Sequence, residues 1–132
     1  MRIFVDTSAF YAFLDRDDKN HQKGKRAWSE IIKGYYTLIT SNYILVETLA
    51  LLQSRLGLQA VRGFQEDVAP ILKVEIVTAD MHRAGTAALL SAGRRGLSLV
   101  DCVSFEVMRD LGIKLAFTFD AHFKEQGFDM IP

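Results

Sequence analysis

Four carboxylates sit in surroundings that are otherwise apolar or that open a helix. Asp6 follows Ile3-Phe4-Val5, Glu47 interrupts YILVETLALL, Asp101 closes SLVD, and Asp120 follows LAFTF. Taken singly, most of them have a structural explanation. Asp6 and Asp120 each stand between a strand-like and a helical run, where an N-cap accounts for an Asp as well as a ligand role does. Asp101 lies three residues after Ser98, the spacing of a capping box, and the helix dipole favours an acid in a first turn. Glu47 is different. Its helical neighbours Tyr43, Ile44, Ala50 and Leu51 form a face suited to burial, and no Lys or Arg lies within one turn. Such a carboxylate must be paired, protonated or coordinated, because desolvating it alone is costly.

The four together ask for more. If two strand ends, a helix face and a helix start converge, the acids raise one another's pKa and oppose folding unless a counter-charge is present. A hard divalent cation supplies it: Mg²⁺ takes oxygen ligands, keeps several waters and needs few direct carboxylates. The chemistry of such a site is phosphate binding and activation of water for in-line attack at phosphorus.

The elements that must position these acids follow from hydrophobic periodicity and caps. Strands are predicted at about Arg2–Val5, in YYTLIT (35–40), in KVEIVT (73–78) and in LAFTF (115–119), with a possible edge strand at Asp129–Ile131. Helices are predicted at about 7–15, 20–33, 43–55, 59–68, from Thr78 or Asp80 to about Arg94, at 99–111, and briefly at 121–126. Their boundaries come from Gly34, Gly57, Pro70 and the caps Ser41 or Asn42 and Ser98. Strands separated by helices pair in parallel through crossovers. The expectation is one α/β domain over 1–132, a parallel sheet of four to five strands with helices on both faces. In such sheets ligands collect beyond the carboxyl ends of the strands, where Asp6 and Asp120 stand.

Composition narrows the class. Sixteen Lys and Arg balance sixteen Asp and Glu, so any nucleic-acid contact must come from a local patch. Cys102 is the only cysteine, which excludes an intramolecular disulfide and fits a reducing compartment. The chain enters a strand-like run almost at once, leaving no room for a secretory leader, and a cytoplasmic location is expected.

The stretches IFVDTSAF, SNYILVETL, LSLVDCVSFEVMRDLGI and AFTFDAHF resemble the four acidic motifs of PIN-domain nucleases, and their combination is most similar to VapC-type toxins. The likeness spans nearly the whole chain, in order and in matching strand and helix contexts. It implies that Asp6 and Asp101 hold the principal Mg²⁺ or Mn²⁺, that Glu47 and Asp120 complete the pocket, and that Thr7, Ser8 and Thr118 support the carboxylates. It further implies endonucleolytic cleavage of RNA and neutralisation by a cognate antitoxin; a homodimer is expected. One departure is local: Val103, Ser104 and Phe105 are bulkier than the small residues often found in related helices.

Around the pocket, Arg94 and Arg95 are candidates to hold an RNA phosphate, or else a basic helix end. Lys23, Lys25, Arg26 and Lys33 form a candidate basic face, or a solvated one. Of the three histidines only His122 lies near an acid, as a group behind a carboxylate or a surface residue. Trp28, Tyr35, Tyr36 and Phe64 are assigned to packing or an oligomer interface. Competing functions are an RNA-processing nuclease that is not a toxin, a non-catalytic relative that has lost an acid, and a phospho-receiver domain. The receiver needs an acid pair after the first strand, which this chain lacks.

Overall fold

The computed structural model describes residues 1–132. Arg2–Val5 form β1, and the full burial of Ile3, Phe4 and Val5 marks a strand covered on both faces. Asp6 ends it and opens α1 (Thr7–Leu14), followed by α2 (His21–Lys33) and β2 (Thr37–Ser41). Ser41 caps α3 (Asn42–Leu56) by accepting the Ile44 N–H. Gly57, at φ +91°, turns the chain into α4 (Leu58–Asp67), a backbone that disfavours any residue with a Cβ. A 3₁₀ turn at Ala69–Ile71 leads to β3 (Leu72–Glu75) and then α5 (Ala79–Ala92). The chain ends with α6 (Leu99–Leu111), β4 (Leu115–Phe117), the single turn α7 (His122–Glu125) and β5 (Asp129–Ile131).

All strand pairs are parallel, in the order β3-β2-β1-β4-β5. The chain moves outward from β1 to β2 to β3, then returns across the sheet to β4. Right-handed crossovers taken in opposite directions place their helices on opposite faces. The reversal falls between β1 and β4, where Val5 pairs with Phe117. The two strand ends carrying Asp6 and Asp120 are therefore neighbours at the switch point, where an open α/β sheet leaves a crevice.

Aromatic packing fixes the flanking helices. Phe64 meets Phe10 edge-on at 5.2 Å and Trp28 stacks on Phe13 at 4.3 Å, both as packing residues. Across the sheet, Phe105 of α6 packs against Phe123 and Phe128 at 5.0 and 5.9 Å. The bulk of Val103 is matched by its neighbour: a Cβ on Gly85 of α5 would lie 2.6 Å from Val103 Cγ2. The small residue that lets these helices approach stands on α5.

Several boundaries differ from the sequence expectation. The helix expected to reach Arg94 stops at Ala92, because Gly93 adopts the left-handed conformation, φ +59°. The third strand begins at Leu72 and ends at Glu75. Beyond it Val77 donates its N–H to Asn42 Oδ1, since β2 has already given way to α3, and Ile76 is left exposed. β4 ends at Phe117, and the Thr118 hydroxyl then accepts the Asp120 N–H in place of a strand partner. Tyr35 lies outside β2, at φ +57° and 93 % exposed, so intramolecular packing does not account for it. No helix is long and apolar enough to cross a membrane.

Candidate active site

Asp6 is both a helix cap and a buried carboxylate, 4 % exposed. Its Oδ2 accepts the Ser8 hydroxyl at 2.7 Å, the Thr118 hydroxyl at 3.0 Å and, more weakly, the Ser8 N–H at 3.4 Å. Each hydroxyl has one proton to give. With those protons on Asp6, the hydroxyl lone pairs accept the Phe119 N–H (2.9 Å, to Ser8) and the Asp120 N–H (3.0 Å, to Thr118). Ser8 and Thr118 thus tie the end of β1 to the end of β4. Asp6 Oδ1 has no protein partner.

Asp101 occupies the third position of α6 in a reciprocal capping box. Ser98 Oγ accepts the Asp101 N–H at 3.1 Å and Asp101 Oδ2 accepts the Ser98 N–H at 3.0 Å, so Oδ1 is free. In Asp120 it is Oδ1 that is committed, accepting the His122 N–H at 2.9 Å and lying 2.7 Å from its ring Nδ1, which leaves Oδ2. The ligand atoms of Asp101, Asp120 and His122 all lie within 4.8 Å of one another. Asp6 stands outside that trio but within its field. Burial, opposed by the Ser8 hydrogen bond and reinforced by the charges of Asp101 and Asp120, raises the Asp6 carboxyl from 3.8 to about 6. Asp101 is raised by burial above all, with Ser98 opposing and the charges of Asp120 and Glu47 adding to it.

Glu47, on α3, is close enough to burden Asp101 but makes no hydrogen bond or ion pair. Its face is less buried than its apolar neighbours suggest. The inward positions of α3 are Ile44, Thr48 and Leu52, and Glu47 is half-buried at the margin, beside a groove of about 390 Å³ lined by Tyr43, Val46, Ala50, His82 and Val100.

Thr7 is not placed on the carboxylates. Its buried hydroxyl donates to Ile44 O over a long 3.5 Å and accepts from Thr48 at 3.2 Å, bracing α1 against the helix that carries Glu47. Arg94 pairs with Glu125 at 2.9 Å and with none of the four acids, and Arg95 is exposed without an ion pair. Lys23, Lys25, Arg26 and Lys33 lie exposed on α2. Two hydroxyls escaped the sequence reading, Thr40 and Thr48. Thr40 donates to Val5 O at 2.9 Å, and as an ordinary strand residue it carries no local signal of that contact.

No Lys or Arg nitrogen lies within ion-pairing distance of any of the four acids. Three aspartates therefore each offer one free oxygen, with the other tied off by protein donors, and no Lys or Arg neutralises them. That all-oxygen set suits a hard divalent ion such as Mg²⁺ or Mn²⁺.

The PIN domain family model matches residues 3–129. The chain belongs to the PIN-domain family. Among PIN relatives it is similar to the 23S rRNA-specific endonuclease VapC20 of Mycobacterium tuberculosis, 38 % identical over 127 residues that cover 96 % of this chain and 95 % of that one. The crystal structure of M. tuberculosis VapC20 superposes with a TM-score of 0.85 at 37 % identity, covering 98 % of this chain and 99 % of the other. FitAcB from Neisseria gonorrhoeae, 10 % identical, covers 100 % of this chain and 97 % of its own at a TM-score of 0.72, a likeness of fold alone.

Proposed function

We propose that this PIN-domain protein is a metal-dependent endoribonuclease, the toxin of a toxin–antitoxin pair, with 23S ribosomal RNA as substrate. One observation carries the chemistry: Asp6, Asp101 and Asp120 meet at the switch point, each with one oxygen free and no Lys or Arg paired with any of them. The target follows from similarity to VapC20, whose structure is described as that of a sarcin-ricin loop cleaving toxin.

In this reading Asp6, Asp101 and Asp120 hold Mg²⁺ or Mn²⁺, with Glu47 on the flank. When bound, the ion polarises the scissile phosphate and lowers the pKa of a water. The protein's part is positioning. Ser8 and Thr118 fix Asp6 through Oδ2, and Ser98 fixes Asp101 through Oδ2, so the free oxygens are held in place before the ion arrives. Glu47 has neither oxygen committed and is the acid free to take the proton released by the attacking water. Without the ion the same carboxylates repel a phosphate, which makes productive RNA binding depend on the metal. An antitoxin neutralises such a site by pairing an arginine with the free oxygens in the cation's place.

The test is cleavage of 23S rRNA in ribosomes by the purified protein, with EDTA, with Mg²⁺ or Mn²⁺ restored, and with Asp6→Asn as control. Cleavage at a discrete site that EDTA abolishes, metal restores and the variant lacks is the expected result. EDTA-resistant cleavage sinks the metal role, and intact 23S rRNA alongside cleavage of another RNA sinks the target. A neighbouring small gene whose product suppresses the activity separates a toxin from an RNA-processing nuclease.

A further inference from the structure

Every protein donor on the Asp120 carboxylate comes from one residue. Oδ1 accepts the His122 backbone N–H at 2.9 Å, a bond any residue at that position supplies, and it lies 2.7 Å from the ring Nδ1, a contact that depends on the side chain. A carboxylate turns about its last bond between two nearly equivalent positions. Two donors on the same oxygen remove that equivalence and leave Oδ2 without a protein donor.

Asp120 needs this restraint more than the other two acids. It lies past the end of β4, outside the strand ladder, and before a helix of only one turn. The His122 ring is itself confined. Its side chain is 20 % exposed, and a Cβ on Gly96 would touch its Cε1 at 4.0 Å, so the α5–α6 loop runs over it. Phe123, next in sequence, is fully buried, and Glu125 pairs with Arg94 of the same loop. The ring's surroundings are thus fixed by the α5–α6 loop and by the buried Phe123.

We propose that His122 is a positioning residue of the metal site: its ring Nδ1–H orients Asp120 so that Oδ2 meets the cation, and the ring does not bind the ion. This rests on the metal-dependent reading above and deepens it. The measurement is divalent-ion affinity at one fixed pH, by the electron paramagnetic resonance of free Mn²⁺ and by calorimetry with Mg²⁺, for wild type, His122→Ala and His122→Asn. The asparagine amide places an N–H donor near the Nδ1 position.

His122→Ala should weaken both ions alike, by about 10–100-fold, the usual effect of losing a group that orients a ligand. His122→Asn should recover most of that loss. RNA cleavage by the alanine variant should return toward the wild-type rate once metal is saturating, since the defect is in affinity. Wild-type affinity in His122→Ala overturns the proposal. So does a loss confined to Mn²⁺ that asparagine fails to rescue, because it makes the ring a direct nitrogen ligand. A wild-type protein that binds neither ion overturns the metal reading and this role together, whereas wild-type binding with an unaffected alanine variant overturns this role only.

Discussion

Replacing Asp6 by Asn should stabilise the metal-free protein while destroying its activity. Asp6 is buried, and its carboxyl is raised from 3.8 to about 6, by burial first, with the charges of Asp101 and Asp120 adding to it. Above that pKa the folded state bears a cost of about 1.4 kcal/mol per unit, or about 3 kcal/mol in all, for holding the charge. Asparagine keeps the cap through its amide oxygen and carries no charge; allowing for relaxation around the ionised group, we expect a gain of about 1–3 kcal/mol near pH 7.5. In a chain of 132 residues that is roughly 4–10 °C in Tm. The sign fixes the pH dependence. Because the folded pKa lies above the unfolded one, the native state binds the extra proton between them, and wild-type stability falls as pH rises through the window from 3.8 to about 6. Thermal melts in EDTA should therefore show wild type and Asp6→Asn converging at about pH 4, separating as pH rises through that window and keeping their full difference above about pH 6. Saturating metal closes or reverses the gap, adding about 2.7 kcal/mol to wild type at a hundredfold excess over Kd and little to the variant. An asparagine variant that melts lower than wild type in EDTA at every pH would refute the reasoning and make Asp6 a cap stabilised by Ser8 and Thr118.

Three further outcomes are expected. Asp101→Asn and Asp120→Asn should each reduce metal-dependent RNA cleavage by about 10²-fold or more while leaving the circular dichroism spectrum unchanged; wild-type rates would remove that residue from the mechanism. Gly85→Ala should cost about 1–3 kcal/mol in denaturant unfolding, because the added methyl meets Val103 Cγ2 at 2.6 Å and the Val103 N at 3.2 Å, and α5 and α6 must separate; an unchanged midpoint would mean Val103 rotates away freely. Ser98→Ala should cost about 1 kcal/mol through loss of its cap and weaken Mg²⁺ binding less than Asp101→Asn does, as titration calorimetry would register.

The fold was legible in the sequence because its signals are local. Apolar triplets such as Ile3-Phe4-Val5 and caps such as Ser41 and Ser98 decide elements by themselves, and helices between strands leave parallel pairing as the only arrangement. What was not legible depends on partners distant in sequence. KVEIVT has the composition of a six-residue strand, but Ile76 has nothing to pair with once β2 turns into α3 at Asn42. Nor does the sequence of α6 say that the small residue facing Val103 is Gly85 on another helix. In the candidate site, the types and order of the acids could be read, but their hydrogen-bond partners could not. Thr7 and Thr118 look alike beside their aspartates, yet Thr118 donates to Asp6 across 112 positions of sequence while Thr7 turns to α3. Glu47 misled in the other direction. Apolar neighbours are a poor measure of burial on a helix whose margin borders an open groove.

Cap and ligand are compatible roles for Asp6 and Asp101 once their oxygens are counted separately. A cap uses one oxygen, and the other remains. At Asp6 the helix start and two hydroxyls take Oδ2, and at Asp101 the Ser98 amide takes Oδ2; in both, the bond that stabilises the helix is also the bond that aims the free oxygen. Helix starts at the carboxyl edge of a parallel sheet are therefore economical places for a cation site, because the capping bonds needed to fold the chain also fix the ligands. Charge is what such a site sets against stability. Capping helps the fold whether or not an ion is present, while the crowding of Asp6, Asp101 and Asp120 is relieved by protonation at low pH and, above it, by the ion. A protein built this way should tolerate neutral substitution at its acids structurally and fail at it functionally, and a substitution at Ser8 or Thr118, which removes a donor but keeps the charge, should do harm on both counts.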